Sequence, residues 1–129
     1  MPAKLTEKAV KLVEGKNFAF LAITLPDGSP HVAPVWIDHD GDILLVNTAM
    51  GRVKQRQATK GKRVSLAISD QSNMYDKVLI FGRVAEQSPE GAEAHIDKLA
   101  DKYTGAKKYQ RSSPTEKRVI IKIEPLRII

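Results

Sequence analysis

Short apolar runs bounded by turn residues are the feature that most constrains how this chain folds. Six such runs, at 17–25, 31–38, 43–46, 63–70, 77–87 and 119–123, have the length and the Val, Ile and Leu content of β-strands. The segments between several of them are rich in Pro, Gly, Asp and Asn, which favour turns. In a chain of 129 residues, six strands predict a mainly β fold, a small six-stranded antiparallel barrel in one domain over 1–129.

The turns between the first runs predict how the strands are connected. Pro26–Pro30 joins the first run to the second, since Pro fixes φ and Gly28 supplies a positive φ. A turn at 39–41 leads into the third run, so the first three strands are predicted to form an antiparallel meander. Pro34 has no backbone N–H to give to a ladder, which places the second strand at an edge or a bulge.

The remaining segments have helical or irregular patterns. Apolar residues at helical spacing predict an N-terminal helix over 5–13 and a second helix from Ser88 to about residue 103. A short exposed helix is expected to begin near Met50 or Gly51 and to end before Gly61. Residues 71–75 are predicted to form a loop. The segment 104–115 is polar, basic and contains glycine, and this predicts a mobile loop or lid.

The positive charge of the chain lies in two stretches. The sequence has 21 Lys and Arg against 15 Asp and Glu, a net charge of +6. Residues 52–63 contain six basic residues and no acidic one, and residues 102–118 contain six more, with Glu116 as their only acidic residue. Such stretches on a mildly acidic remainder indicate either a local anionic partner or solvated surface faces.

Several classes of site are excluded or disfavoured by the composition. The absence of cysteine excludes disulfides, thiolate metal sites and Cys nucleophiles. The three histidines do not have a metal-binding spacing, and His95, among alanines on a predicted helix, is expected to be structural. No GxGxxG motif indicates a Rossmann site, and no pair of carboxylates is spaced for acid–base work, so no catalytic residue is predicted. The N-terminal segment has no apolar signal core, and we expect a cytoplasmic protein.

A candidate anion site lies where the third strand leads into the short helix. The segment Asn47–Lys54 contains the Thr48 hydroxyl, the flexible Gly51 and the cations Arg52 and Lys54. The first turn of a helix offers free N–H groups that suit phosphate, and Arg binds oxyanions through two donors. The alternative is an ordinary surface helix with arginines facing water.

The order of these motifs resembles a known family. The segment Leu21–Trp36, the turn Gly51–Lys54, the strand start Lys62–Leu66 and Phe81–Val84 occur in the order typical of the split β-barrel flavin and deazaflavin oxidoreductases, the relatives of pyridoxamine 5′-phosphate oxidase. So do Leu99–Gly105 and Ile121–Pro125, which extends the resemblance over nearly the whole chain. The branch that uses the deazaflavin coenzyme F420 is the most similar, with FMN-binding relatives beside it.

The resemblance implies a homodimer with a cofactor groove at the subunit interface. The flavin-type ring would lie against Ala33, Pro34, Val35 and Trp36, the phosphate would be held by Asn47, Thr48, Arg52 and Lys54 at the Gly51 turn, and Asn73 and Tyr75 would reach the groove from the partner subunit. The polyglutamate tail of F420 would follow either Arg56 and Lys60 or the basic loop 102–118, an expectation that rests on charge alone. Trp36 has a second interpretation, packing in the core or interface.

The expected function is therefore hydride transfer between F420 and an unsaturated small molecule. A coenzyme of this type supplies the chemistry, which agrees with the absence of a predicted nucleophile. An FMN-dependent oxidoreductase of the same fold is the first alternative. A non-enzymatic barrel that binds nucleic acid, a flavin or haem is the second, although no aromatic residue interleaves with the basic run 52–63 to stack on bases.

Overall fold

The fold is mainly β, as predicted, with three helices on the outside of one sheet. A computed structural model describes residues 2–129; Met1, the first residue of the predicted domain, lies outside the described residues. The elements in chain order are α1 (Glu7–Glu14), β1 (Ala19–Thr24), β2 (Pro30–Val35), β3 (Asp38–Asp40), β4 (Ile43–Ala49), α2 (Val53–Gln57), β5 (Arg63–Asp70), β6 (Asn73–Ser88), α3 (Ala92–Thr104) and β7 (Arg118–Ile128).

The seven strands form one antiparallel sheet in the order β2-β1-β5-β6-β7-β4-β3. The two outer strands of that order, β2 and β3, follow each other in the chain with only Trp36 and Ile37 between them. The first part of this segment pairs with β1 and the last part pairs with β4, so it closes the sheet into a barrel. Seven strands replace the predicted six because the second predicted strand divides at this corner.

The two predicted turns between the first strands are present, but the predicted three-stranded meander is not. The β1–β2 hairpin pairs Ala19 with Val35 and the β3–β4 hairpin pairs Asp38 with Leu45, but β2 and β4 are not neighbours, because the second predicted strand divides and its two parts lie at opposite ends of the sheet order. The second turn begins later than predicted, because His39 and Asp40 still belong to β3. Pro34 lies on β2 at the end of the sheet order, which agrees with the predicted edge position.

Alternating residues of the strands fill the barrel. Leu21 and Ile23 of β1, Leu66 of β5 and Ile121 and Ile123 of β7 are buried. Helix α1 closes one end of this core with its apolar face (Ala9, Leu12 and Val13), and the hydroxyl of Thr6 accepts a hydrogen bond from the N–H of Ala9, as expected of an N-cap. Ile96, Leu99 and Tyr103 of α3 form a second, smaller cluster with Trp36 and Tyr109.

Several predicted boundaries differ from the structure. Helix α2 has only five residues, because the Gln87 side chain binds the carbonyls of Gln55 and Ala58 and the chain leaves the helix there. Strand β6 already begins at Asn73, which shortens the predicted loop 71–75, while β7 extends to Ile128. Helix α3 begins at Ala92 rather than near residue 88.

The segment 105–117 has no regular secondary structure, as predicted, and it is attached to α3. The Arg111 guanidinium contacts the carboxylates of Glu93 and Asp97 at 2.8 and 3.3 Å, and the Tyr109 N–H donates to Asp97 at 2.9 Å. These contacts position the segment beside the barrel. Within residues 2–129, no helix is long and apolar enough to cross a lipid bilayer.

Candidate functional site

An open cleft of about 200 Å³ lies between the barrel corner, the short helix α2, helix α3 and the segment 105–117. It has an apolar and aromatic wall and an end that is rich in basic residues. Its lining consists of Phe18, Pro34, Val35, Trp36, Asn47, Thr48, Arg52, Lys54, Ile96, Tyr109 and Arg118. Seven of these eleven residues were predicted from the sequence.

The aromatic wall of the cleft is built on Tyr103. Trp36 stacks on the Tyr103 ring with the centroids 5.3 Å apart, and Tyr109 meets Trp36 edge-on at 6.1 Å. The Tyr103 hydroxyl is buried, accepts from the N–H of Ile37 at 3.1 Å and donates to the carbonyl of Asn17 at 2.6 Å. Trp36 therefore packs on Tyr103, as its second interpretation expects, and it also lines the cleft, while its contact with a coenzyme ring stays a prediction.

Three cations, Arg52, Lys54 and Arg118, form what we call the basic end of the cleft. Burial lowers the pKa of Lys54 below its usual value, and the positive charges of Arg52 and Arg118 lower it further. An anion placed among these three side chains relieves that repulsion. The basic end is therefore electrostatically prepared for a phosphate or carboxylate group.

Thr48 contributes a hydroxyl without a partner to the same cleft. The residue is 1% exposed, and its Oγ1 forms no hydrogen bond with any residue in the described range 2–129. A buried hydroxyl without a partner is costly, by about 1–3 kcal/mol. A ligand oxygen in the cleft would supply the missing hydrogen bond.

One carboxylate of the same chain reaches the basic end. The side chain of Glu116 is 4% exposed and lies 3.0 Å from Arg118 Nη1 and 3.5 Å from Arg52 Nη2. Burial opposes its ionisation, but hydrogen bonds from the Ser112 hydroxyl and N–H and from Arg118 outweigh this and lower its pKa to about 2. The three cations and this carboxylate together have a net charge of two positive units, which is available to an anionic ligand.

The structure gives Gly51 and Asn47 roles that differ from those predicted. Gly51 does not line the cleft, and its N–H already donates to the Gln55 side chain at 2.9 Å; its φ of +91° explains why glycine stands there. Asn47 lines the cleft, but its amide is bound to Arg118, His95 and the carbonyl of Ala92. Side chains, not the backbone around Gly51, therefore supply the donors of the basic end.

Three further predicted residues lie outside the cleft of this chain. Ala33 is absent from the lining, while its neighbour Pro34 is present. Asn73 and Tyr75 lie at the start of β6, and Tyr75 is 89% exposed there. Their predicted contribution from a partner subunit stays a prediction.

Sequence reasoning missed four lining residues: Phe18, Ile96, Tyr109 and Arg118. Arg118 was counted in the basic stretch 102–118 but not connected with the segment 47–54. The β4–β7 ladder pairs Ala49 with Arg118, which places the Arg118 side chain on the same face of the sheet as Asn47. The sequence signal available for the β4–β7 pairing is that both segments have the apolar pattern of strands, although they lie far apart in the chain.

His95 is structural, in agreement with the prediction. Its Nε2 lies 3.0 Å from an Asp38 carboxylate oxygen, and its Nδ1 lies 3.0 Å from the amide nitrogen of Asn47. Burial alone would raise the pKa of Asp38, but hydrogen bonds from His95 and the His39 N–H and the charge of Lys98 hold it well below its usual range. No three metal-ligating side chains come together anywhere in residues 2–129.

Comparison with solved structures places this geometry among known proteins. An F420 reductase is 28% identical over 97% of this chain and 98% of its own, with a TM-score of 0.79. General stress protein 26 from Bacillus anthracis is 19% identical over 95% of this chain and 89% of its own, with a TM-score of 0.67. An FAD- and haem-binding protein from Mycobacterium smegmatis is 15% identical over 95% of this chain and 67% of its own, with a TM-score of 0.63. The last two structures are under 25% identical to this chain, so their similarity shows the fold alone.

Comparison of the sequence gives the family directly. No curated protein sequence matches the chain. The profile of the pyridoxamine 5′-phosphate oxidase family matches residues 5–129, which confirms the resemblance and the fold class predicted from the sequence motifs. The chain therefore belongs to the pyridoxamine 5′-phosphate oxidase family of split-barrel oxidoreductases.

Proposed function

We propose that this protein is an oxidoreductase that binds coenzyme F420 in the cleft and transfers a hydride between it and an unsaturated small molecule. FMN is the alternative coenzyme. The observation that carries the proposal is the pairing of an unsatisfied, buried Thr48 hydroxyl with three cations at one end of an aromatic cleft. This combination provides a phosphate site beside a surface that accepts a planar ring.

The residues present fit such a coenzyme. At the basic end, Thr48, Arg52 and Lys54 can donate to phosphate oxygens, and two net positive charges match its negative charge. At the other end, Pro34, Val35 and Trp36 offer apolar contact to the ring. When bound, the coenzyme supplies the hydride-transfer chemistry, and the side chains bind, orient and exclude water.

The choice of F420 over FMN rests on two weaker supports. The neighbour described as an F420 reductase is 28% identical over nearly all of both chains. Arg56 and Lys60 extend the positive charge beyond Lys54, which suits a coenzyme that carries a polyglutamate tail. The phosphate of FMN would use the same donors at the basic end.

We also propose that the protein acts as a homodimer. The cleft of about 200 Å³ is smaller than the roughly 300–1,000 Å³ usual for small-molecule sites, which supports a site that a second copy completes. The sheet face that adjoins the cleft is apolar and exposed: Phe20, Val32, Leu79 and Phe81 project from three strands, away from the barrel core. In this arrangement Asn73 and Tyr75 of the partner subunit close the cleft.

Parallel titration with F420 and FMN, followed by coenzyme fluorescence, tests the coenzyme proposal. We expect submillimolar binding of at least one of them. The double variant Arg52→Ala/Lys54→Ala should lose about 2–4 kcal/mol of binding free energy, at roughly 1–2 kcal/mol for each charge-assisted contact. Lys4→Ala, which removes an exposed lysine outside both the cleft lining and the Arg56–Lys60 tract, is the matched control. Unchanged binding in the double variant contradicts the phosphate assignment, whereas RNA binding with steep salt dependence and no coenzyme uptake favours the nucleic-acid alternative.

Sedimentation velocity at micromolar concentration tests the dimer. The wild-type protein should sediment as a dimer, and Phe81→Asp should shift it toward the monomer because a carboxylate would be buried in the apolar contact. Tyr75→Ser, a change on the β6 hairpin, should leave a dimer but weaken coenzyme binding. A strictly monomeric wild-type protein contradicts the site arrangement.

A further inference from the structure

Arg118 is the most firmly held cation of the cleft. The residue is 4% exposed, although it lines the cleft. Its Nε donates to Asn47 Oδ1 at 2.9 Å, its Nη1 donates to Glu116 at 3.0 Å, and its guanidinium carbon lies 4.9 Å from the centre of the Tyr109 ring. Its Nη2 has no hydrogen-bond partner among the residues that the structure describes. One edge of a fixed guanidinium is thus left for a ligand.

We propose that Arg118 is the principal phosphate-binding cation of the cleft, donating from Nη2, and that Asn47 is the positioning residue that sets the direction of its guanidinium. This inference rests on the proposed function, because the ligand is the phosphate group of the coenzyme.

Fixed geometry separates Arg118 from the other cations of the basic end. The Arg52 side chain is 43% exposed, and its one ion pair within the described part of the chain is longer, at 3.5 Å from Glu116. Lys54 is half-buried and has no ion pair among residues 2–129. Both must lose side-chain freedom when they bind an anion, whereas the Arg118 guanidinium is already ordered by three neighbours. Arg118 therefore gains more from each hydrogen bond to phosphate.

Thr48 provides a second indication that the ligand group binds at the basic end. Its hydroxyl is buried and unpartnered in the same cleft. In the β4–β7 ladder Thr48 is opposite Val119 and Ala49 is opposite Arg118, so the Thr48 and Arg118 side chains leave opposite faces of the sheet, and what they share is the lining of the cleft. A phosphate bound in the cleft would supply a partner to the Thr48 hydroxyl and to the free Nη2 of Arg118.

The hydrogen bonds of Asn47 explain why it acts through Arg118 rather than on the ligand. Arginine only donates, so it faces the amide oxygen, and the amide nitrogen must then face the Ala92 carbonyl and His95 Nδ1, at 2.9 and 3.0 Å. His95 donates in turn from Nε2 to Asp38 at 3.0 Å. Both the nitrogen and the oxygen of the Asn47 amide therefore have hydrogen-bond partners. Because the nitrogen is bonded to α3, the oxygen has a fixed position, and this sets where the Arg118 side chain lies.

Binding of inorganic pyrophosphate, FMN and F420 to the purified protein, measured by calorimetry, tests the role of Arg118. Arg118→Lys keeps the charge but loses the free Nη2 edge, and we expect at least tenfold weaker binding of the ligands that the wild type takes up. Arg118→Gln leaves Glu116 buried without its partner and can prevent folding, so the double variant Arg118→Gln/Glu116→Gln, which removes both charges, is made as well. Arg83→Lys, a change at an arginine that is also hydrogen-bonded to a carboxylate (Glu124) but lies outside the cleft lining, is the matched control and should bind as the wild type does.

The outcomes separate this inference from the proposed function. Binding by Arg118→Lys and by the folded double variant within twofold of wild type overturns the role of Arg118, even where the wild type binds F420 or FMN. Pyrophosphate binding that depends on Arg118, together with no uptake of either coenzyme, supports the anion site and contradicts the proposed function. A wild-type protein that binds none of the three ligands overturns both.

A double-mutant cycle tests the positioning role of Asn47. Asn47→Ala should weaken pyrophosphate or coenzyme binding about fivefold in the wild type and have almost no effect in the Arg118→Lys background, because Asn47 acts only through the guanidinium edge. Equal losses in both backgrounds would show that Asn47 contributes independently and would overturn this part of the inference.

Discussion

Replacing Thr48 with valine should change stability and ligand binding in opposite directions. Valine has nearly the shape of threonine but no hydroxyl, and the Thr48 Oγ1 has no protein partner among residues 2–129. In the ligand-free protein the hydroxyl is a net cost, because it has lost water and gained nothing in return. In the proposed complex the same hydroxyl would donate to phosphate, so its removal should weaken binding.

The expected magnitudes follow from the burial of the residue. At 1% exposure, relief of the unpaired hydroxyl should raise the free energy of unfolding by about 1–2 kcal/mol, or the melting temperature by roughly 3–8 °C for a domain of this size. Loss of a hydrogen bond to a charged group costs about 1.5–3 kcal/mol, so the phosphorylated coenzyme should bind about 10- to 100-fold more weakly.

Thermal and urea unfolding of the ligand-free protein, with coenzyme titration, measure both effects. Thr48→Ser keeps the hydroxyl and loses one methyl, so it should lose stability and retain binding. Thr104→Val is the control for a hydroxyl that is already bonded, since Thr104 donates to the Ala100 carbonyl at 2.7 Å, and it should destabilise the protein. A ligand-free Thr48→Val protein that is less stable than wild type, or one that binds coenzyme equally well, would refute the reasoning.

The remaining predictions concern stability. Tyr103→Phe removes the hydroxyl that serves Ile37 and Asn17, and chemical denaturation should show a loss of about 2–4 kcal/mol; a loss under 0.5 kcal/mol would mean that these groups find other partners. Gly82→Ala should destabilise the barrel by about 1–3 kcal/mol, since a Cβ there would lie 2.7 Å from the Ile123 side chain and 3.0 Å from the Glu124 carbonyl oxygen, and an unchanged melting temperature would contradict this. The pKa of Glu116 is lowered from the usual 4.5 to about 2, so its contribution to stability is present above pH 4.5 and is lost as the pH falls toward 2. Stability measured at pH 6 and pH 3 should therefore fall more for the wild type than for Glu116→Gln, and equal losses would be inconsistent with an ionised, hydrogen-bonded carboxylate.

Local patterns were sufficient to predict most of the fold. The apolar runs gave the positions of the strands, and the helical spacing of apolar residues gave those of α1 and α3. The division of the second strand at Trp36 and Ile37 was not predictable, because it depends on which distant strands are available on each side. Strand pairing such as that between β4 and β7 connects residues about 70 positions apart, and no turn signal specifies it.

The candidate site was predicted where its residues are consecutive and missed where they are not. Thr48, Arg52 and Lys54 come from one segment and line the cleft together. Arg118 and Tyr109 reach it only through tertiary packing. The use of the Gly51 N–H by Gln55 depends on a side-chain rotamer, and composition and spacing do not determine it.

The corner at Ile37, where the barrel closes, has a consequence for how a ligand leaves. Ile37 lies between two strands and outside both ladders, and its N–H and C=O are bonded by the side chains of Tyr103 and Lys102. Helix α3 thus holds the chain between β2 and β3 in place, at the corner where the barrel closes. The same helix contributes Ile96 to the cleft. Detachment of α3 would therefore open the barrel at this corner and disrupt the cleft at the same time, and a coenzyme bound in the cleft would oppose both changes.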